Sequence, residues 1–154
     1  MIAVCIATYN QQSFIAQCIE SVLSQLCDEP MRIYIGDDSS MDRTSAICQQ
    51  YAIKDKRIAY FYRETNMGVV NNTIALYRQI MADECEYIAM LDGDDYWTDP
   101  HKLQLQIEFH IIAYVLRGDE LLEQIIHRYH ISAMQLNSII VKILRATQTV
   151  YTTH

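Results

Sequence analysis

The chain has 154 residues, 51% of them hydrophobic and 20% charged, which is typical of one globular domain with a substantial core. No apolar run approaches the ~18 residues that span a bilayer, and the start lacks the basic leader and apolar length of a signal peptide, so we expect a cytoplasmic protein. The net charge is −7, and residues 1–100 hold 7 Lys/Arg against 15 Asp/Glu. An acidic domain without a basic patch argues against nucleic-acid binding.

Cysteine usage points to the same compartment. The five cysteines are odd in number and contain no Cys-x-x-Cys pair; they stand at positions 5, 18, 27, 48 and 85. We therefore expect reduced and mostly buried thiols rather than a disulfide framework.

Strand and helix patterns alternate along the first hundred residues. Short apolar runs predict four strands, at Ile2–Ala7, Arg32–Ile35, Ile58–Tyr62 and Tyr87–Leu91. Apolar residues at helical spacing predict three intervening helices, over Ser13–Leu26, Thr44–Ile53 and Val69–Met81. This alternation predicts βαβ units, and therefore an α/β fold whose mostly parallel sheet is covered by helices on both faces.

The last part of the chain has a different pattern. It carries three amphipathic helical patterns and no comparable strand signal, over His101–Leu116, Leu121–Tyr129 and Met134–Leu144. We therefore expect a core over residues 1–109 and a helical C-terminal extension over residues 110–154. The apolar faces of residues 107–116 and 131–144 would pack on the sheet or on another subunit. Peripheral contact with a membrane is a weaker option, because the polar faces are not rich in Lys or Arg.

Polar clusters follow each predicted strand. They are Thr8-Tyr9-Asn10, Asp37-Asp38, Asn66 with Gly68, and Asp92 to Asp95. In parallel sheets, ligands bind outside the carboxyl ends of the strands. The sequence therefore predicts one ligand site where these clusters meet.

The last cluster, residues 92–95, is the most informative of the four. It places three carboxylates within four positions, directly after an apolar strand. Carboxylates this close repel one another unless a cation or hydrogen bonds hold them, and Mg²⁺ and Mn²⁺ prefer oxygen ligands. The alternative is a turn with an Asp helix cap, which would use one or two of the three.

The succession of motifs resembles the nucleotide-binding half of the family 2 inverting glycosyltransferases, which have the GT-A fold. The matching segments are Ala7-Thr8-Tyr9-Asn10, Ser21-Val22-Leu23-Ser24-Gln25, Asp37-Asp38-Ser39-Ser40-Met41-Asp42-Arg43-Thr44, Asn66-Met67-Gly68-Val69 with Asn72, and Leu91-Asp92-Gly93-Asp94-Asp95-Tyr96-Trp97 followed by Pro100, Lys102 and Leu103. The resemblance covers residues 1 to about 109, and it implies a Rossmann-like GT-A domain that binds a nucleotide sugar, with a UDP-sugar expected for this chain.

The resemblance assigns the nucleotide to the first three clusters. Tyr9 would stack on the base, and Thr8 and Asn10 flank it in the same turn. Asp38, or its neighbour Asp37, would accept a hydrogen bond from the base; the alternative is an Asx turn that caps the second helix. The turn beside the nucleotide would be shaped by Asn66 and Gly68, with Gly68 permitting a positive φ, although a simple turn explains them equally well.

The fourth cluster is implied to be the Asp-x-Asp motif of the family. Asp94 would contact a divalent metal, Mn²⁺ or Mg²⁺, and Asp92 would contact the ribose or a metal-bound water. Gly93 lies between them at the nucleotide, and Asp95 would support the site. Two further groups of residues have plainer alternatives: Arg63 and Arg78 would reach a diphosphate or stay on the surface, and His127 with His130 would bind a metal or simply pack.

Transfer also needs a base that deprotonates the hydroxyl of a saccharide or lipid-linked acceptor. In the family this base is a carboxylate downstream of the Asp-x-Asp motif, and Asp119, next to Glu120, belongs to the only later acidic pair here. The pair also fits a helix cap. The sequence thus predicts a glycosyltransferase, with a truncated nucleotide-sugar- and metal-binding module, needing a partner subunit or a second copy, as the alternative.

Overall fold

The computed structural model describes residues 1–83 and 85–108. Residues 1–100 form one compact unit in which strands and helices alternate. The elements are β1 (Ile2–Thr8), α1 (Ile15–Leu23), β2 (Met31–Asp37), α2 (Thr44–Lys54), β3 (Ile58–Tyr62), α3 (Val69–Ala82) and β4 (Tyr87–Asp92).

The four strands form one parallel sheet in the order β3-β2-β1-β4. All seven residues of β1 are buried, as expected for a central strand covered on both faces. The register pairs Thr8 with Asp37, Ala7 with Asp92, and Asp37 with Tyr62. The carboxyl ends of all four strands are therefore level with one another.

Helix α3 covers one face of the sheet. Its residues Leu76 and Ile80, four apart on one side of the helix, pack in a core cluster with Ala3, Cys5 and Tyr34 of the central strands. This packing places the start of α3 above the end of β2.

Helices α1 and α2 contact each other, and α2 also contacts β2 and β3. Neighbouring strand residues point to opposite faces, and Tyr60 points away from the α3 face that Phe61 occupies. The Tyr60 hydroxyl lies 3.0 Å from the Ser45 Oγ of α2, so α2 lies on the opposite face from α3. A sheet covered on both faces agrees with the predicted α/β fold.

The described part of the second unit begins at His101, and residues 102–108 are helical. The predicted helix over His101–Leu116 is thus present in its described portion. Residues 109–154, which carry the predicted extension and its two further helices, lie outside the described residues. Within the described parts of the chain, no helix has the length and apolar character needed to cross a membrane.

The four strands and three helices predicted within the first hundred residues all occur, and the differences lie at their ends. Strand β2 continues through Gly36 and Asp37 because both residues pair with β1 and β3. The first helix starts at Ile15 rather than Ser13, since a turn closed by the hydrogen bond from Phe14 N to Gln11 O precedes it. Both changes lengthen the polar rim at the carboxyl end of the sheet.

Candidate functional site

A cavity of about 390 Å³ opens at the carboxyl ends of the strands. Residues from the ends of β1, β2 and β4 and from the start of α3 contribute to its wall, which consists of Ala7, Thr8, Tyr9, Gln11, Asp38, Asn66, Gly68, Val69, Asn72, Asp92 and Asp94. The four polar clusters of the sequence therefore do meet at one place.

Backbone hydrogen bonds join the end of β1 to the segments that follow β2 and β4. Asp38 N donates to Thr8 O at 3.0 Å, and Gly93 N donates to Ala7 O at 3.0 Å. The loop after β2 and the loop after β4 are thus both attached to the central strand. This attachment sets the positions of Asp38 and Asp92 across the cavity.

Asp38 is buried, and both of its carboxylate oxygens are engaged. Oδ1 accepts the backbone N–H of Met67 and Oδ2 accepts that of Gly68, each at 2.8 Å. Charged acceptors make stronger hydrogen bonds than neutral ones, so this pair ties the end of β2 firmly to the start of α3. Each oxygen keeps a second lone pair for a ligand.

Asp37 has a different position from its neighbour. It is fully buried, with Oδ1 accepting the backbone N–H of Ser40 at 2.9 Å and Oδ2 accepting the hydroxyl of Tyr60 at 2.9 Å. Burial raises the pKa of Tyr60, which keeps its hydroxyl protonated as a donor. As the sequence predicted Asp37 or Asp38 at the base, the geometry distinguishes them: Asp38 lines the cavity, and Asp37 holds the loop behind it.

The loop that carries Tyr9 is connected to the loop after β2. Five hydrogen bonds link the two: Asn10 N to Ser40 Oγ, Gln11 N to Thr44 Oγ1, Gln12 N to Asp42 Oδ2, Met41 N to Asn10 Oδ1, and Arg43 N to Gln12 Oε1. Asn10 has φ 52° and so takes the left-handed conformation that Asn tolerates. Asn10 thus joins the loops and is not part of the cavity wall, while Tyr9, which is 42% exposed, contributes to that wall.

Two glycines shape the rim. Gly68 has φ 83° at the residue before α3, the positive φ expected of it. Gly93 has a different role, since a Cβ there would lie 2.3 Å from Gln11 Oε1 and 2.8 Å from Thr8 Oγ1. Gly93 therefore lets the β4 loop lie against the end of β1, and it does not itself line the cavity.

Asp92 and Asp94 lie on the opposite side of the cavity from Asp38, at the end of β4. Both are exposed, and within residues 1–83 and 85–108 neither carboxylate has a hydrogen bond or an ion pair. The backbone N–H of Asp95 donates to Asp92 O at 3.0 Å, so the segment is also a turn. Asp95 is exposed and lies outside the cavity wall.

Asp92 and Asp94 offer the oxygen ligands that a hard divalent ion prefers, but two carboxylates are too few to hold the ion without further ligands. Mg²⁺ is commonly held by one or two carboxylates together with substrate phosphates. Among the described residues, no group of three or more His, Cys, Asp or Glu side chains could hold a metal alone. The residues present therefore fit an ion that shares its coordination with a phosphate ligand.

Three buried thiols, Cys5, Cys18 and Cys48, lie in the same unit, and their pKa values are raised. Burial, followed by the charges of Asp95, Asp94 and Asp92, raises the pKa of Cys18 to about 12. Burial likewise raises the pKa of Cys5 to about 11 and that of Cys48 to about 12. The five cysteines are thiols that form no disulfide within the described residues, and Cys5, Cys18 and Cys48 are buried.

The half-buried Arg63 and the buried Asn72 form a polar pair at the start of α3. Arg63 Nε donates to Asn72 Oδ1 at 3.1 Å, and Asn72 Nδ2 donates to Gly36 O at 2.8 Å. The sequence predicted a diphosphate or surface role for Arg63; in the structure it reaches the cavity wall only through Asn72. Arg78 is exposed and lies outside that wall, on the surface of α3.

Four of the wall residues had no predicted role. Gln11 was not singled out, and Ala7, Val69 and Asn72 were noted only within the matching motifs. The signal for Asn72 is its place in the first turn of a helix that follows the positive-φ Gly68. Asp119, His127 and His130 lie outside the described residues.

Comparison with known proteins identifies a family. The model of the glycosyl transferase family 2 matches residues 3–113. The putative teichuronic acid biosynthesis glycosyltransferase TuaG of Bacillus subtilis is 35% identical over 109 residues, which is 71% of this chain and 41% of that protein. An uncharacterized protein of Mycobacterium tuberculosis is 35% identical over 104 residues, 66% of this chain and 29% of that protein. The chain thus matches less than half the length of these relatives.

Solved structures show the same fold. The crystal structure of S. aureus TarS 1-349 in complex with UDP matches with a TM-score of 0.60 at 27% identity, over 70% of this chain and 31% of that one. The complex of the same protein with UDP-GlcNAc matches with a TM-score of 0.58, over 73% and 31%. The predicted GT-A fold and the family resemblance are confirmed by these matches.

Proposed function

The chain belongs to glycosyltransferase family 2, and we propose that its cavity binds the nucleotide-sugar donor of a glycosyl transfer, with UDP as the nucleotide. The observation that carries this proposal is the meeting of Tyr9, Asp38, Asp92 and Asp94 in one cavity at the carboxyl ends of the strands. The complexes of S. aureus TarS with UDP and UDP-GlcNAc, at 27% identity, support UDP as the donor nucleotide.

The base would lie between Tyr9 and the start of α3. The half-exposed ring of Tyr9 offers a stacking surface, and the fixed carboxylate of Asp38 offers an acceptor for an N–H of the base. Uracil carries such an N–H between two carbonyl groups, whereas cytosine has an unprotonated ring nitrogen there. Asp38 therefore favours a uridine nucleotide over a cytidine nucleotide.

The diphosphate would lie toward β4. Asp92 and Asp94 have no other described partner and would hold a divalent ion, Mn²⁺ or Mg²⁺, together with the phosphate oxygens. When bound, the ion would supply charge neutralisation for a diphosphate leaving group. Asp92 would also accept a hydrogen bond from a ribose hydroxyl.

The acceptor of the sugar would be a saccharide or a lipid-linked saccharide, in the biosynthesis of a polysaccharide in the cytoplasm or at the inner face of the membrane. The relationship to TuaG, described as a putative teichuronic acid biosynthesis enzyme, supports this class. Transfer with inversion requires a carboxylate base at the acceptor hydroxyl, and Asp119 remains the predicted candidate.

A second function also has support. The acidic side chains among the described residues of the cavity wall are Asp38, Asp92 and Asp94, and all three are assigned above to the donor and its metal. A chain of this kind binds the donor but transfers nothing until another polypeptide supplies the base. It would then act as the donor-binding subunit of a larger transferase.

Isothermal titration with UDP, in Mn²⁺ and in EDTA, tests donor binding. We expect binding that depends on the metal, and we expect Asp94→Asn to weaken it by roughly 10- to 100-fold, the usual effect of disturbing a metal site. Asp95→Asn removes the same charge one residue further on, outside the cavity wall, and should weaken binding less than threefold. No binding of UDP by the wild-type chain would refute the proposal.

Release of UDP from a UDP-sugar then separates the two functions. Steady release in the presence of a saccharide acceptor, lost in Asp119→Asn, supports the complete transferase. Metal-dependent binding without release supports the donor-binding subunit. The Asp119→Asn variant should lose UDP release but keep the wild-type affinity for UDP.

A further inference from the structure

Asn72 is a buried amide at the wall of the cavity. Its side chain is only 1% exposed, yet it contributes to the cavity wall next to Asp38 and Gly68. It lies in the first turn of α3, where its backbone N–H donates to Gly68 O at 3.0 Å. Asp38 and Asn72 therefore both bond to Gly68, one to its N–H and the other to its carbonyl.

The orientation of the Asn72 amide is determined from two sides. A guanidinium can only donate, so the atom that faces Arg63 Nε must be the amide oxygen. A backbone carbonyl can only accept, so the atom that faces Gly36 O must be the amide nitrogen. The two partners consequently fix the orientation of the amide in a residue that contributes to the cavity wall.

That nitrogen has an unused donor. Nδ2 carries two hydrogens, and Gly36 O accepts one of them. The described side-chain contacts of Asn72 are those with Gly36 and Arg63, so the second hydrogen has no acceptor among the described residues. A buried donor without an acceptor is unfavourable, and a ligand in the cavity can provide one.

The surroundings are built to hold the amide in this place. A Cβ on Gly36 would lie 2.7 Å from Asn72 Oδ1, so only glycine at that position admits the side chain. Arg63 itself is fixed by its backbone bond to Asp37 O at 2.9 Å and lies 5.9 Å from the centre of the Phe61 ring. Its Nη2 is buried and has no hydrogen-bond partner in the described structure. The chain thus keeps a partly unsatisfied arginine in a position where it orients Asn72.

We propose that Asn72 is a base-reading residue that donates its second Nδ2 hydrogen to a carbonyl oxygen of uracil, and that Arg63 is the positioning residue that sets its amide. This inference rests on the proposed binding of a uridine nucleotide. Uracil presents an N–H donor flanked by carbonyl acceptors. Asp38 as acceptor and Asn72 as donor together match that pattern.

Replacing a carbonyl oxygen of uracil by sulfur tests this contact. The probes are UDP, 2-thio-UDP and 4-thio-UDP, each titrated in Mn²⁺, because a thiocarbonyl sulfur accepts hydrogen bonds poorly. The wild-type chain should bind one of the two thio analogues about fivefold more weakly than UDP, the effect of one net hydrogen bond. In Asn72→Ala, UDP and that analogue should bind equally.

Arg63→Met tests the positioning role. It removes the donor that orients the amide, so the preference for UDP over the thio analogue should shrink to less than twofold, and Arg63→Lys should restore part of it. A residue with a merely structural role would weaken the binding of both nucleotides to the same extent. Asn71→Ala and Arg78→Met, exposed positions of the same helix, are the matched controls and should keep the full preference.

The outcomes are distinguishable. If the wild-type chain binds no UDP, the proposed function fails and this inference fails with it. If UDP binds and both thio analogues bind as tightly as UDP, the inference is overturned while donor binding stands. The same holds if Arg63→Met keeps the preference for UDP over the thio analogue. Thermal unfolding identifies a variant that does not fold. If Asn72→Ala does not fold, the affinities of the wild-type chain and of Arg63→Met for UDP and the two thio analogues decide whether the inference holds.

Discussion

Two acidic clusters face each other at the carboxyl end of the sheet, and they are built in opposite ways. At the end of β2, Asp37 and Asp38 are buried, and all four of their carboxylate oxygens accept hydrogen bonds from the protein. At the end of β4, Asp92 and Asp94 are exposed and have no described hydrogen bond or ion pair.

The difference shows how one cavity combines a rigid wall with an open one. A buried carboxylate is unfavourable without hydrogen-bond partners, and the partners here are three backbone N–H groups and the Tyr60 hydroxyl, whose positions then become fixed. Exposed carboxylates are hydrated without protein partners and remain available to a cation. The β2 cluster therefore stabilises the fold and fixes the base site, while the β4 cluster is available to ligands.

The largest expected effect comes from removing a carboxylate of the rigid cluster. Asp37→Ala leaves the Ser40 N–H and the Tyr60 hydroxyl without their acceptor in a buried site. We expect the free energy of unfolding to fall by about 3 kcal/mol. The midpoint of urea unfolding measures this loss, with the slope unchanged.

The matched change in the other cluster is Asp94→Ala. It removes an exposed carboxylate without a described partner, so the free energy of unfolding should change by no more than about 0.5 kcal/mol. Equal destabilisation by Asp37→Ala and Asp94→Ala would contradict the contrast between the clusters.

An effect smaller than that of Asp37→Ala is expected at Gly68, whose backbone N–H donates a hydrogen bond to Asp38. Its φ of 83° with ψ of 153° lies in a region that is nearly restricted to glycine, although a Cβ there would meet no atom within 4 Å. Gly68→Ala should therefore cost about 2 kcal/mol of unfolding free energy through backbone strain alone. Val70→Ala, at an exposed position of the same helix, is the control; a Gly68→Ala variant as stable as this control would show that the turn relaxes freely.

A destabilisation smaller than those of Asp37→Ala and Gly68→Ala is expected at Asp42, which supports the rigid cluster from the next turn. Its carboxylate accepts the backbone N–H groups of Gln12 and Thr44, and its replacement by Ala should cost about 1 kcal/mol. Although burial opposes the shift, the hydrogen bonds from Thr44 and Gln12 lower the pKa of Asp42 below its ordinary value.

The lowered pKa gives this contribution a pH dependence. The stabilisation is fully present above the ordinary Asp pKa of about 3.9 and is lost as the pH falls through the lower folded value. The stability difference between the wild-type chain and Asp42→Ala, measured by urea unfolding, should thus be largest near pH 7 and shrink below pH 4. A difference that stays constant down to pH 2.5 would assign the effect to something other than the carboxylate.

Much of the fold could be predicted because its signals are local. Apolar runs and helical spacing predicted all seven elements within a few residues, and Ile58–Tyr62 matched without change. The end of β2 was predicted too early, because Gly36 and Asp37 have poor strand propensity and are held in the sheet by β1 and β3.

The roles within the site depend on contacts that sequence spacing does not reveal. Asp37 and Asp38 are chemically identical neighbours, and only the alternation of strand faces and the position of the α3 start separate them. Asn72 gains its place through Gly36 and Arg63, which are 36 and 9 residues away in the chain. The Asp92–Asp95 cluster was easier to notice, since three carboxylates within four positions after a strand are unusual by themselves.

The most direct test of donor binding is paramagnetic broadening of backbone amide signals by Mn²⁺ in the presence of UDP. We predict strong broadening at Asp92, Gly93 and Asp94, and none at the amino ends of the strands, about 20 Å away along a six-residue strand. Asp94→Asn should abolish the broadening. Broadening that is centred elsewhere, or that survives this substitution, would contradict a nucleotide–metal site at the end of β4.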